Sequence, residues 1–332
     1  MCAVIVLAAC GKKTDPGKSV EGSGAGAQGS SLYAGGEGEP TEPPPAPTIK
    51  AGKGDCKTEY APRPKRDPNP MCKVEGGTFE MSGFNARMSV KLSPYYIDQF
   101  EVTNAQVVHY LNATKAETCK EPSDSRYPCF HVGKGHEGEA TMAIFVAKDK
   151  DGRYYTPPGT ERLPFTKASQ QGAREYCAWA GKILPTEPMW EFAARRDPET
   201  GKDLLYPWGD EFDGRRARCD QEYCPDAPVH APDSADRYPV PVGTYDGTNG
   251  HADGRSPWGV FDMAGNAEEL VADCDYAYKP CDGGSCLDPP PRVEPQCRPL
   301  QRGGGIEGQR QLRTINRDTG DSAGFRCARI GR

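Results

Sequence analysis

The stretch YCAWAGKILPTEPMWEFAAR, residues 176–195, carries the end of one helix signature and the whole of another. On its N-terminal side Ala173, Tyr176, Cys177 and Ala180 follow the i, i+3, i+4, i+7 rule. That spacing predicts a helix over about Ser169 to Ala180, with Gly181 where a C′ glycine would stop it. A further helix is expected after Thr186, where Trp190, Ala193 and Ala194 line one side.

Upstream, CKVEGGTFEMSG (72–83) reads as a strand punctuated by two glycines, and Tyr95 to Val102 as another. At VTNAQVVHYLNA a helix should begin, because Thr103 and Gln106 have capping-box spacing. Val107, Tyr110 and Leu111 then share a face. Downstream of the helix after Thr186, Gly, Pro and Asp become frequent and long apolar periodicities vanish. The fold class expected is α+β in one domain, with few helices and long irregular segments that need staples, metals or function to hold them. No repeat of 20–50 residues is evident.

Composition divides the 332 residues unevenly. Residues 10–67 are mostly Gly, Pro, Ser, Glu and Ala with few aromatics, too little apolar surface to offset the entropy of ordering, so a disordered tether is expected there. Residues 68–332 are left for one compact body, expected to be a monomer. The formal net charge of −6 and the absence of a long basic run give no electrostatic footprint for nucleic acid.

The chain begins MCAVIVLAACGKK, an apolar run too short to span a bilayer as a helix. Its Leu7-Ala8-Ala9-Cys10 order resembles a bacterial lipobox, in which small residues precede a cleavage point and the cysteine is acylated. Residues 1–9 are therefore expected to be a lipoprotein signal peptide, with Met1 inside a longer one because no basic segment precedes the run. Lipid on Cys10 would anchor an exported protein in the periplasm or at the cell surface. Gly11, unlike an inner-membrane retention signal, favours the outer membrane. Setting aside Cys2 and Cys10, twelve of the 14 cysteines remain, an even number without a C-x-x-C pair. Disulfides are expected, and Cys119/Cys129, Cys219/Cys224 and Cys274/Cys281/Cys286 have spacings that suit local loops.

The short signatures EGGTFEMSG, IDQFEVTNAQ, YCAWAGKILPTEPMWEFAAR, YPWGD, VGTYDG, WGVFDMAGNAEEL, RGGG and GFRCAR follow one another in a particular order. In that order and spacing the chain resembles the formylglycine-generating enzyme, or sulfatase-modifying-factor, family over about residues 70–329. The resemblance implies that family's compact fold, distantly like C-type lectins. It also implies a chemistry, oxidation of a substrate cysteine to formylglycine with oxygen and a copper(I) ion held by two thiolates. Laid on the family pattern, QRQLRTINR puts Gln309 and Thr314 at the two cysteine positions, and neither an amide nor a hydroxyl replaces a thiolate. No catalytic residue is therefore assigned and copper is not expected. The family's Val-Ser-Trp-x-Asp-Ala block keeps Ser169 and Ala173 but has Gln170 and Gly172 where Trp and Asp are usual. The resemblance further implies a Cys177–Cys327 disulfide.

Calcium is the cofactor the resemblance leaves open. Family members bind it through positions matching Asp262 and Glu269, with the carbonyls at Gly265 and Ala267, a hard-oxygen set suited to the ion. The competing reading is a helix over AEELVADC, opened by Asn266 and Glu269 at capping-box spacing. The aromatics that usually flank Glu269 are here Glu268 and Leu270. A second family calcium site is not expected, since Arg218 occupies its asparagine position. The five histidines, of which only His131 and His136 are close in sequence, do not suggest an iron site. There is no G-x-S-x-G elbow and no Walker motif.

The leading functional expectation is a lipid-anchored module that binds a peptide or envelope protein and has lost the oxidative chemistry. Arg302, Arg310, Arg313 and Arg317 are the residues expected to line its ligand cleft and to favour an acidic ligand, unless they pair with structural acids. The alternatives are an active oxidoreductase of the same family using another metal or an unexpected cysteine, and a purely structural lipoprotein.

Overall fold

Each of the three α-helices among the described residues starts at a hydroxyl that caps it. The computed structural model describes residues 56, 58–59, 62–82, 87–119, 128–134, 145–224, 238–275, 286–291 and 298–331. Helix α1 spans Asn104–Thr114; the Thr103 hydroxyl accepts from the Gln106 amide, and the Gln106 side chain accepts from the Thr103 amide at 2.7 Å, so both halves of the capping box form. Helix α2 spans Gln170–Trp179, with Ser169 accepting from the Gly172 amide at 3.1 Å. Gly181 follows at φ +78°, a conformation only glycine adopts without strain. Helix α3 spans Glu187–Arg195 under a Thr186 cap, and Trp190, Ala193 and Ala194 are buried on it.

Among the described residues the strands form four small sheets. β1 (Thr58–Glu59), β2 (Met71–Val74), β5 (Tyr95–Asp98) and β13 (Ala328–Ile330) pair antiparallel in the order β1-β2-β5-β13. β3 (Gly77–Ser82) and β4 (Arg87–Leu92) form a hairpin that β10 (Cys286–Leu287) joins in parallel. β9 (Glu269–Cys274), β11 (Pro299–Arg302) and β12 (Asp318–Thr319) make the third sheet. β6 (Gly133–Lys134), β7 (Ala147–Lys148) and β8 (Tyr154–Tyr155) make the fourth. One buried cluster gathers Tyr110, Phe130, Tyr176 and Phe325 around α1 and α2; another gathers Val74, Ile97, Trp190, Met263 and Leu300 around α3. The architecture is α+β and mostly irregular.

Four expectations change in detail. The strand over 72–83 is two, β2 and β3, because Gly76 at φ +72° packs against the Leu92 and Ser93 backbone and turns the chain between them. The strand from Tyr95 stops at Asp98, although Val102 continues in extended pairing with Phe325 and Phe165. The helix over AEELVADC is the fully buried strand β9: Asn266 spends its side chain on Glu101 and on the Val240 amide rather than on a cap.

The fourth change is the start of the body, which lies before residue 68. A Cys56–Cys72 disulfide and the β1–β2 pairing hold the earlier residues to the sheet. Asp67 is fully buried and accepts from Gln106 at 2.9 Å and from Lys182 at 2.9 Å, while Lys182 also reaches Asp98 at 2.6 Å. Arg63 and Arg66 donate to the Trp179 carbonyl. The signal peptide over 1–9, Cys10 and the tether up to residue 55 lie outside the described residues, as does His136. No helix among the described residues is long and apolar enough to cross a membrane.

Candidate functional site

The expected Cys177–Cys327 disulfide is present and joins α2 to the residue preceding β13. Cys119–Cys129 and Cys219–Cys224 are bridged as their spacing suggested, and Cys274 and Cys286 are also disulfide-bonded. Every cysteine among the described residues is thus in a disulfide.

The segment from Arg302 to Arg317 starts at the end of β11 and turns at once. Gly304 sits at φ +56°, and a Cβ there would run into the Gln311 backbone; this close approach brings residues 308–313 back over the glycine run. The loop shares a cluster with the 219–224 disulfide, since Leu312 packs with Cys219 and Cys224 and the Asp220 amide donates to the Glu307 carbonyl at 3.1 Å. Between them opens a pocket of about 420 Å³ lined by Tyr223, Gly308, Gln309, Arg310, Gln311 and Arg313.

The two positions matching the family's thiolates part company here. Gln309 lines the pocket. Thr314 is fully buried, its hydroxyl donating to the Leu204 carbonyl at 2.9 Å. Copper(I) requires soft thiolates, and the residues present do not fit it.

The four arginines expected in a ligand cleft also separate, two and two. Arg302 is buried, with Nη1 on Glu187 and Nη2 on Glu191, both at 2.7 Å, and a further bond to the Thr314 carbonyl. Arg317 pairs through Nε and Nη2 with the same Glu187. These two are committed to holding the loop on α3 and are not available to a ligand, which corrects the four-residue cleft. Arg310 and Arg313 do line the pocket. No local pattern marks Glu187 and Glu191 as partners, because they lie on a helix far along the chain from the arginines they hold.

The calcium set lies in one buried region. Asp262 accepts from the Gly243 amide at 2.8 Å, and Glu101 accepts from the Ala267 amide and from Asn266. Burial pushes the Asp262 carboxyl up to about 6, and burial with the Asp262 and Glu269 charges pushes Glu101 well above the usual carboxylate range. Three carboxylates thus face one guanidinium, Arg326, and the charge excess suits a cation. The ligand geometry is less accommodating. Both oxygens of Glu269 are held by Arg326, at 2.6 and 2.7 Å, and one also accepts from Trp190. A calcium ion here would rest on Asp262 and the Gly265 and Ala267 carbonyls, short of the six to eight oxygens it prefers. No step of function is routed through it.

A second acidic group was not foreseen. Glu268, Glu307 and Asp318 bring carboxylate oxygens within 4.8 Å of one another, and burial, then Glu307 and Asp318, pushes Glu268 up to about 7.

A family model described as the sulfatase-modifying factor enzyme 1-like domain matches residues 57–330. The chain is 30% identical over 265 residues to the formylglycine-generating enzyme of Thermomonospora curvata, covering 70% of this chain and 80% of that protein. It is 27% identical over 291 residues to the inactive C-alpha-formylglycine-generating enzyme 2 of Bos taurus, covering 78% of this chain and 87% of that protein. Among solved structures it resembles PvdO from Pseudomonas aeruginosa with a TM-score of 0.54 at 21% identity, covering 85% of this chain and all of that one, a likeness of fold.

Proposed function

The chain belongs to the sulfatase-modifying factor enzyme 1-like family, and from that premise we propose that it is a binding module rather than a copper oxidase. In this reading it is a bacterial lipoprotein anchored through Cys10 in the outer membrane, a monomer whose pocket over residues 308–313 takes a peptide or envelope-protein segment. The observation that carries the reading is the fate of the two thiolate positions. One is a glutamine in the pocket wall, the other a threonine buried against the Leu204 carbonyl, and every cysteine among the described residues is bridged. A fold that keeps its scaffold while its metal ligands are gone keeps a shaped surface, and function resides in that surface. The Bos taurus relative named as inactive shows a similar chain carrying that description.

Incubating the purified full chain with copper(I), oxygen and a Cys-x-Pro-x-Arg peptide tests it. No aldehyde and no stoichiometric copper are expected; either one would restore the alternative, an active oxidoreductase of this family. Intact mass of the native amino terminus tests the anchor, where a lipid-modified Cys10 is expected and an unmodified Met1 would remove it.

A further inference from the structure

Between the end of β11 and residue 317, four arginines meet two fates. Arg302 and Arg317 are bound to Glu187, and a buried guanidinium so paired has no charge to offer. Arg310 and Arg313 have no ion-pair or hydrogen-bond partner for their guanidinium groups among the described residues. The Arg313 Nε is buried without an acceptor, as are Arg302 Nε and Arg317 Nη1, so the contrast between the two pairs rests on ion pairing.

The rest of the pocket wall adds no acid. Its other lining residues are Tyr223, Gly308, Gln309 and Gln311, which supply an aromatic edge and two carboxamides. Carboxamides donate and accept, so they suit the alternating polar groups of an extended peptide backbone. Two unpaired guanidiniums suit a carboxylate, which each can grip through two parallel N–H bonds.

We infer that the pocket selects a peptide carrying an acidic side chain, whose carboxylate is held between Arg310 and Arg313. This rests on the binding-module reading and names the ligand chemistry of its pocket. The glutamines and Tyr223 hold the backbone on either side of the carboxylate. Lysine at 313 would keep charge without the planar fork and would not substitute fully.

The test uses the full chain and an array of peptide pairs, each an extended heptamer with two glutamates and its twin with glutamines, read by fluorescence anisotropy. Glutamate members are expected to bind and their twins to bind about tenfold more weakly or worse, as for lost charge-assisted bonds. Arg310→Gln and Arg313→Gln should each weaken glutamate peptides by about tenfold and leave the twins unchanged. Arg310 is exposed, so its variant remains informative even if the Arg313 variant folds poorly. Added inorganic phosphate at millimolar concentration should compete weakly; phosphate binding with no peptide preference would overturn the inference in favour of a tetrahedral oxyanion. Equal binding of both twins, unmoved by either arginine variant, would overturn the acidic selection while leaving the binding-module reading standing. Aldehyde formation in the copper assay is the separate result that removes that reading.

Discussion

The Arg326 guanidinium grips Glu269 in a two-pronged contact, Nε to one carboxylate oxygen at 2.7 Å and Nη2 to the other at 2.6 Å. Its remaining hydrogens reach the Asp98, Gln99 and Phe261 carbonyls, so one fully buried side chain ties β9 to the end of β5 and to the loop before Asp262. Removing it strands a buried carboxylate. Arg326→Gln is expected to cost about 3–5 kcal/mol, read as a lower urea midpoint. Arg326→Lys keeps the charge but loses the fork, and should fall between the variant and the parent.

The Cys177–Cys327 bridge closes a loop of 150 residues. On the chain-entropy account a loop of that size contributes about 5 kcal/mol by restricting the unfolded chain. Both sulfurs are buried among Tyr176, Phe325 and Leu184. The double variant Cys177→Ala/Cys327→Ala should therefore lose several kcal/mol in urea unfolding. The five-residue Cys219–Cys224 bridge contributes less by the same account, and its loss should show first in peptide binding, because Tyr223 between the two cysteines lines the pocket.

Helix starts were legible in the sequence because each has a local cause: Thr103, Ser169 and Thr186 cap within three residues of themselves. The same rule misread Asn266. Its spacing to Glu269 fits a capping box, but Glu101, 165 residues earlier, claims its amide at 2.7 Å, and the buried residues that follow complete a sheet. The pocket was half legible. Arg310 and Arg313 lie in the expected segment and line it, whereas Tyr223 reaches it from another loop, and Arg302 and Arg317 are drawn inward by Glu187. Such pairings depend on tertiary contacts that no short window contains.

At position 172 the chain carries a glycine, and the structure leaves no room there for a side chain. A Cβ on Gly172 would strike the Cys129 carbonyl, whose oxygen also accepts from the Ser169 amide at 2.9 Å. Replacing a helical glycine by alanine gains about 1 kcal/mol of propensity. Pressing a side chain into backbone held by the Cys119–Cys129 bridge costs about 1–3 kcal/mol or more. The clash should win, so Gly172→Ala is expected to lower the thermal midpoint and Gly172→Asp to lower it further.

Asp262 gives the pH dependence its sign. Burial raises its carboxyl to about 6, so between about pH 4 and pH 6 the folded chain holds a proton that the unfolded chain has released. Stability from this group is present at low pH and is lost as pH rises through about 6. Asp262→Asn retains an oxygen for the Gly243 amide and tolerates the positive φ of 58°, but carries no charge. Without bound metal it should be more stable than the parent at pH 7.5 by on the order of 2–3 kcal/mol, with a smaller gain at pH 5. Calcium resting on the Asp262 carboxylate would reverse the order at pH 7.5, because the variant would lose a charged ligand. Melting both proteins with calcium and with a chelator at each pH separates the cases. A chelator that leaves the parent's midpoint unmoved, together with a stabilised Asn variant, assigns the excess charge to a shared proton rather than an ion.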